Sequence, residues 1–177
     1  LGSATGHPPT LITALNYFGA VSLVEGLRLL LAKKSASVVL LCSNSAPMSS
    51  SEDLLLEPLL DGDETAALEM AEQGTGMEYL AGKRALAYWM RKNSFDYARA
   101  GIRINAVAPG PIQTPMVEAL FETPGMKDKV DTLLRVTPIE RMGQPHEVAN
   151  AIRFLLSGDA SYICGTVLFI DGGYDAT

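Results

Sequence analysis

The chain has 177 residues, of which 47% are hydrophobic, and a formal net charge of −6. This length is enough to bury one sizeable core, so we expect a single domain over residues 1–177. The negative charge disfavours a nucleic-acid partner, because binding the phosphate backbone would need a basic patch.

The sequence disfavours a membrane protein, a secreted protein and a metal-binding protein. The most apolar region is interrupted at Asn16, Glu25 and Arg28, so we expect no membrane span. The N-terminal residues do not follow the pattern of a secretory signal. Cys42 and Cys164 both lie in apolar, strand-like runs, which predicts buried thiols in a reduced, cytoplasmic compartment. The two histidines have no companions at metal-ligand spacing, so we expect no metal site.

The first half of the chain predicts a buried helix followed by a buried strand. Apolar residues on several faces indicate a helix over 11–34 that is covered on more than one side. Asn16 is the polar exception there, and it is either a satisfied core residue or part of a site. The run Ser37–Cys42 is typical of a strand buried on both faces, and it ends in Ser43-Asn44-Ser45. Open α/β sheets bind their ligands at such strand ends.

Residues 47–75 combine helix breakers with an excess of acidic residues. Two short helices are expected, over 53–60 and 64–73. We interpret the segment as an insertion that serves as a lid or an interface cover, and not as a separate domain.

The next helix contains a pair of residues at helical spacing. Tyr79 and Lys83 are four residues apart, which places a phenol and an ammonium on one helical face. A nearby cation stabilises a phenolate and lowers the pKa of the phenol, which would make Tyr79 usable as a general acid or base. An exposed Tyr–Lys contact is the competing explanation. Gly101 is expected to end this helix.

The remaining pattern alternates strand and helix. A second strand over 102–107 runs into the turn Ala108-Pro109-Gly110-Pro111, helices follow near 115–122, near 126–135 and from 145, and a third strand covers Thr166–Ile170. This alternation predicts an α/β fold with a parallel sheet and flanking helices. Right-handed crossovers would bring residues 43–45 and 108–114 to one edge of the sheet.

Five motifs in this order resemble the short-chain dehydrogenase/reductase family. They are the Asn16 segment, the strand ending at Ser43, the Tyr79-x-x-x-Lys83 pair, the segment Asn105–Thr114 and the ending Ile170-Asp171-Gly172-Gly173. Within the family, the pattern is most similar to bacterial 3α-hydroxysteroid dehydrogenase/carbonyl reductases. The resemblance implies that the chain is the C-terminal part of a Rossmann-like, doubly wound sheet.

The resemblance also implies roles for individual residues. Tyr79 would exchange a proton with the substrate oxygen, and Lys83 would lower the Tyr79 pKa and bind the nicotinamide ribose. Ser43 would hold the substrate oxygen, with Ser45 as the alternative, and Asn16 would hold a water that relays protons to Lys83. Residues that would line an NAD or NADP cofactor are Pro109, Gly110, Ile112 and Thr114. Residues that would cap an apolar substrate pocket are Met116, Val117, Leu120 and Phe121.

Two features depart from the family pattern. The glycine-rich loop T-G-x-x-x-G-x-G does not occur, since Thr5-Gly6 is followed by Pro8 and Pro9. We therefore expect the first half of the sheet to be missing from these residues. Tyr79 also follows Ser43 by 36 residues, an unusually long separation. The intervening insertion could cover the helix faces through which relatives assemble, and so shift assembly to a surface near Thr166–Ile170.

Two functions are therefore expected to compete. One is an NAD(P)-dependent oxidoreductase, a homodimer or homotetramer, acting on a small hydrophobic secondary alcohol or ketone such as a steroid. The other is a catalytically inactive fragment that serves as an assembly or interaction module.

Overall fold

The structure is a computed structural model, and it describes residues 6–48, 53–74, 76–121 and 125–176. Within these residues, a short helix, Pro9–Thr13, is followed by a π-helical turn, Ala14–Phe18, that leads directly into a long helix, Gly19–Lys33. The strands are β1 (Ser37–Leu41), β2 (Arg103–Pro109) and β3 (Val167–Ile170). The helices are α1 (Pro9–Thr13), α2 (Gly19–Lys33), α3 (Leu56–Asp61), α4 (Glu64–Ala71), α5 (Glu78–Arg99), α6 (Pro115–Leu120), α7 (Met126–Val136) and α8 (Pro145–Leu156).

The described strands form one parallel sheet in the order β1-β2-β3. Ser37 is paired with Arg103 at the start of β1, and Ala106 is paired with Val167 at the start of β3. The central strand is the most buried of the three, as its apolar residues predict. The predicted α/β fold with a parallel sheet is confirmed.

Helices cover both faces of this sheet, and the side-chain period of two along β2 divides the core. Ile104, Ala106 and Ala108 face the large cluster that contains residues of α2, α3, α4 and α5. Val107 faces the opposite cluster, with residues of α8. This two-sided packing matches the expected doubly wound arrangement.

The insertion forms the two short helices that the sequence predicts, α3 and α4. Gly62 takes a positive φ of 76° at the end of α3, and the Asp63 carboxylate then accepts a hydrogen bond from the Ala66 amide to cap α4. Leu55, Leu59 and other apolar residues of the segment are buried in the larger core cluster. The insertion is therefore packed against α5 and the first helical run and contributes to their shared core.

The first helical run, Pro9–Lys33, presents a broad apolar surface. By length and composition alone, this run could cross a membrane, a test that the core helices of soluble proteins also pass. Thr13, Asn16 and Phe18 are nevertheless buried against the rest of the chain. Several leucines of the run remain exposed: Leu11, Leu15, Leu23, Leu27, Leu29 and Leu30. The absence of a membrane span stays a prediction.

One expectation about the cysteines is wrong. Cys42 is buried, as expected, but Cys164 is exposed. Cys164 precedes β3 in a turn where Gly165 has a φ of 76°, so it lies before the strand rather than inside it.

Candidate active site

The candidate site lies where the carboxyl ends of the three strands meet. The Asn44 amide donates to the Pro109 carbonyl at 3.0 Å, and the Gly110 amide donates to the Ile170 carbonyl at 3.1 Å. A Cβ on Gly110 would lie 2.9 Å from Cα and Cβ of Asp171, so only glycine allows this approach. Residues 43–45 and the turn after β2 are thus neighbours, as the crossover rule predicts.

Helix α5 brings Tyr79 and Lys83 to this edge. The Lys83 Nζ lies 5.7 Å from the centroid of the Tyr79 ring, as the four-residue spacing predicts. Lys83 is 6% exposed, and its ammonium donates to the Leu41 carbonyl at 2.8 Å. A strand carbonyl that the sequence does not identify therefore fixes the position of this cation.

Ser43 and Ser45 lie together beside the phenol. Their hydroxyl oxygens are 2.7 Å apart, and the Ser45 amide donates to Ser43 Oγ at 3.2 Å. The Ser43 hydroxyl is also near enough to the Tyr79 phenol to affect its pKa. Of the two serines, Ser43 is the one in contact with the phenol, and Ser45 contacts Ser43.

Burial sets the acidity of both members of the Tyr–Lys pair. Burial raises the pKa of Tyr79 above its usual value, although the nearby Ser43 hydroxyl lowers it in part. Burial also lowers the pKa of Lys83. Lys83 is not among the causes of the shift in the Tyr79 pKa, so the expectation that it lowers this pKa stays a prediction.

Asn16 lies in the π-helical turn between α1 and α2. Its side-chain amide donates to the Ile12 carbonyl at 2.9 Å, and the residue is 1% exposed. A Cβ on Gly82 would be 3.5 Å from the Asn16 Cβ, so the turn packs closely against the Tyr–Lys helix. Short π-helical turns occur often at functional sites. Apolar periodicity does not distinguish such a turn from α-helix, so the sequence pattern predicts only a continuous helix here.

A cavity of about 590 Å³ is lined by three of the predicted residues, Asn16, Tyr79 and Lys83. Its other walls are mostly apolar residues of the first helical run, β1 and α5. Cys42, which the sequence suggests is only a small core residue, also lines it. Burial raises the pKa of the Cys42 thiol to about 11, so the thiol is protonated at neutral pH.

In the turn after β2, Ile112 forms a parallel bridge with Gly143. Gly143 donates to the Pro111 carbonyl, and Gln113 donates to the Gly143 carbonyl, both at 2.9 Å. In such a parallel bridge, the N–H and carbonyl of the bridged residue, Ile112, point to the opposite side. Thr114 lies just before α6, and its hydroxyl oxygen accepts a hydrogen bond of 3.4 Å from the Val117 amide.

The proposed substrate cap is only partly described. Helix α6 forms where predicted, but the side chains of Met116 and Leu120 lie outside what the structure describes. Val117 and Phe121 are half-buried. In the described residues, no group of three or more His, Cys, Asp and Glu is arranged to hold a metal ion.

The chain is similar to known proteins along nearly all of its length. The family model described as "Enoyl-(Acyl carrier protein) reductase" matches residues 63–175. The 3-alpha-hydroxysteroid dehydrogenase/carbonyl reductase of Comamonas testosteroni is 34% identical over 171 residues, which cover 93% of this chain and 66% of the relative. The levodione reductase of Leifsonia aquatica is 38% identical over 127 residues, which cover 60% of this chain and 48% of the relative. The chain thus spans about two thirds of one of these relatives and about half of the other.

A solved structure shows the same fold. The 3-alpha-hydroxysteroid dehydrogenase from Pseudomonas sp. B-0831, complexed with NADH, is 38% identical and superposes with a TM-score of 0.91. The match covers 99% of this chain and 70% of that one. The expected similarity to bacterial 3α-hydroxysteroid dehydrogenase/carbonyl reductases is confirmed. Together with the parallel sheet, the matched family model and these relatives show that the chain belongs to the short-chain dehydrogenase/reductase family.

Proposed function

We propose that this chain contains the proton-transfer site of an NAD(P)-dependent oxidoreductase that interconverts a hydrophobic secondary alcohol and its ketone. One observation carries the proposal: Ser43, Tyr79 and Lys83 are neighbours at the carboxyl ends of the strands. Such strand ends are where open α/β sheets bind ligands. The relatives' names, which include dehydrogenases and reductases, support the reaction class.

The residues present fit the nicotinamide and ribose part of the cofactor. An ammonium has three N–H donors, and one of those of Lys83 is used by the Leu41 carbonyl beside the open cavity. Ile112 offers an N–H directed away from its bridge to Gly143. When bound, the cofactor donates or accepts the hydride. We propose that Lys83 binds the ribose and that Pro109, Gly110, Ile112 and Thr114 hold the nicotinamide.

Tyr79 is proposed as the general acid in the direction of ketone reduction. Because burial raises its pKa, the phenol is fully protonated at neutral pH and can donate to an oxygen that gains negative charge. The Lys83 charge then stabilises the phenolate that remains. For alcohol oxidation, the same phenol must first lose its proton, which its burial opposes.

Ser43 and Asn16 support this step. The Ser43 hydroxyl contacts the phenol, so it can hold the substrate oxygen against Tyr79, and Ser45 keeps the Ser43 hydroxyl in place. Asn16 lines the same cavity as Lys83 and is proposed to hold the water that returns a proton to it. Met116 and Leu120 remain proposed substrate contacts, on the basis of their place after the nicotinamide turn.

The substrate class and the assembly are also proposals. Relatives named for a hydroxysteroid and for levodione support a small apolar ring system as substrate. A cytoplasmic homodimer or homotetramer is proposed. Because α3 packs against α5, we place its interface near Thr166–Ile170. An interface formed mainly by residues 11–33 and 78–98 would contradict that placement.

A second candidate function is an inactive assembly module. The observation in its favour is the apolar surface of α2 beside the edge strand β1, where Leu23 and Leu30 are exposed. The two candidates differ in their response to cofactor. Under the enzyme proposal, adding NADH or NADPH to the folded chain quenches the fluorescence of Trp89, the single tryptophan, or enhances that of the nicotinamide. A folded chain that binds neither cofactor would favour the module and contradict the enzyme proposal.

A further inference from the structure

A second cavity lies beside Ser43 and shares Cys42 with the first cavity. It has a volume of about 290 Å³, near the lower end of the range for small-molecule sites. Ser43 and Cys42 line it together with side chains of helix α5. Its remaining lining is apolar or cationic: Ala46, Pro47, Arg84, Ala87, Tyr88, Arg91, Val167 and Phe169.

Two arginines face this cavity from the same side of α5. Arg84, Tyr88 and Arg91 are spaced by four and three residues, so they lie on one helical face over about 10 Å. The Arg84 guanidinium lies 5.6 Å from the centroid of the Tyr88 ring, and its Nη2 is 3.4 Å from the Tyr88 hydroxyl. The aromatic ring therefore orients one of the two cations.

These cations lack a balancing charge in the described part of the chain. None of the residues lining the cavity is acidic, and the described ion pairs involve Arg28 and Arg141, not Arg84 or Arg91. A carboxylate that contacts both guanidinium groups would supply the missing negative charge. The arrangement is notable in a chain whose net charge is −6.

We propose that this cavity binds a small organic carboxylate, with its charge on Arg84 and Arg91 and its apolar body against Ala46, Pro47 and Ala87. Guanidinium groups match carboxylate geometry and can bind it through two parallel hydrogen bonds. Because Ser43 lines the cavity, the carboxylate belongs either to the substrate itself or to a separate effector bound next to the reacting group.

Binding tests the site without any turnover. The full chain is titrated with cyclohexanecarboxylate, with the neutral cyclohexanecarboxamide and with inorganic phosphate, and calorimetry or NMR shifts report the affinity. We expect the carboxylate to bind at least tenfold more tightly than the amide or phosphate. The double variant Arg84→Gln/Arg91→Gln should lose this preference, while Arg99→Gln on the same helix should keep it. Circular dichroism checks that each variant is folded.

Three results would overturn the proposal: no binding of the carboxylate, equal binding of acid and amide, or unchanged affinity in the folded double variant. Equal binding of phosphate would likewise reduce the site to an unspecific basic surface.

Measurements of turnover distinguish a carboxylate of the substrate from that of an effector. These measurements rest on the proposed function. If the substrate supplies it, the double variant raises KM at least tenfold for 4-oxocyclohexanecarboxylate but not for its amide. If an effector supplies it, cyclohexanecarboxylate changes kcat for a neutral ketone in the wild type but not in the double variant. Carboxylate binding without any turnover would contradict the proposed function and leave the site supported.

Discussion

Gly110 shows how tightly single residues determine the geometry of this site. It stands where the exit of β2 meets Asp171 and Asn44, and its missing side chain allows the three segments to approach. Asp171 is itself fixed, because its carboxylate accepts hydrogen bonds from the amides of Gly173 and Asp175. Asp171 therefore cannot move aside without breaking these hydrogen bonds.

Replacing Gly110 with alanine should therefore destabilise the fold. The new Cβ would lie 2.9 Å from Cα and Cβ of Asp171, and forcing atoms into a packed region costs about 1–3 kcal/mol. Urea unfolding measures the loss. Gly26→Ala is the matched control, since no atom lies within 4 Å of its added Cβ and alanine favours helix by about 0.5–1 kcal/mol. Equal effects of the two substitutions would contradict the steric explanation.

At the scale of elements, α5 supports the site through its contact with α2. The Tyr97 hydroxyl donates to Glu25 Oε1 at 3.0 Å, and the Arg28 guanidinium lies 4.7 Å from the centroid of the Tyr97 ring. Tyr97 is fully buried, and its ring also meets Trp89 edge to face. This cluster holds the helix of Tyr79 and Lys83 against the helix that continues from Asn16.

The variant Tyr97→Phe should lower the free energy of unfolding by about 0.5–1.5 kcal/mol, the net contribution of one hydrogen bond. Glu25 is partly exposed and can bind water instead, which keeps the loss moderate.

The difference in free energy of unfolding between the wild type and Tyr97→Phe should depend on pH. Burial raises the pKa of Tyr97 to about 12 in the folded state, above the unfolded value of about 10. The advantage of the wild type is therefore complete below pH ~10 and disappears as the pH rises through about 12. Chemical unfolding of both proteins from neutral to alkaline pH measures this. A difference that grows between those pH values would contradict the assignment.

At the scale of the whole molecule, one side of the sheet is left open. Strand β1 is at the edge of the described sheet, and the adjoining surface of α2 exposes Leu23 and Leu30 at 63% and 58%. Apolar surfaces next to an unpaired strand edge favour association with other chains. We therefore expect the chain to self-associate at concentrations where a fully covered domain remains monomeric.

The pair of substitutions Leu23→Gln and Leu30→Gln should reduce this association while changing the free energy of unfolding little, because both side chains already meet solvent. Light scattering and sedimentation measure the first effect, and urea unfolding measures the second. Leu59→Ala is the contrast, since that side chain is fully buried and its truncation costs about 2–5 kcal/mol. Unchanged association of the double variant would place the contact surface elsewhere.

The sequence predicts this architecture well because its signals are local. Periodicity identifies β1, β2 and α5, and the four-residue spacing places Tyr79 beside Lys83. Tertiary packing determines what the sequence misses. The π-helical turn at Asn16 and the contact of Lys83 with the Leu41 carbonyl depend on how helices meet the sheet.

The raised pKa of Tyr79 is a further result of packing. Residue spacing predicts the nearby cation, but it does not predict the burial that raises the pKa of the phenol. The same limit explains Cys164, whose apolar neighbours suggest a strand interior although the residue lies in an exposed turn.

The rate of ketone reduction in Tyr79→Phe tests the central claim most directly. The substitution keeps the ring and removes only the proton donor, so we expect turnover with a neutral cyclic ketone to fall by about 10²–10⁴-fold. Cofactor affinity should be nearly unchanged, because Lys83 and the turn after β2 remain in place. Tyr162→Phe is the control, since Tyr162 is fully exposed and should leave the rate unchanged. A wild type without turnover, or a Tyr79→Phe variant that keeps the wild-type rate, would contradict the account.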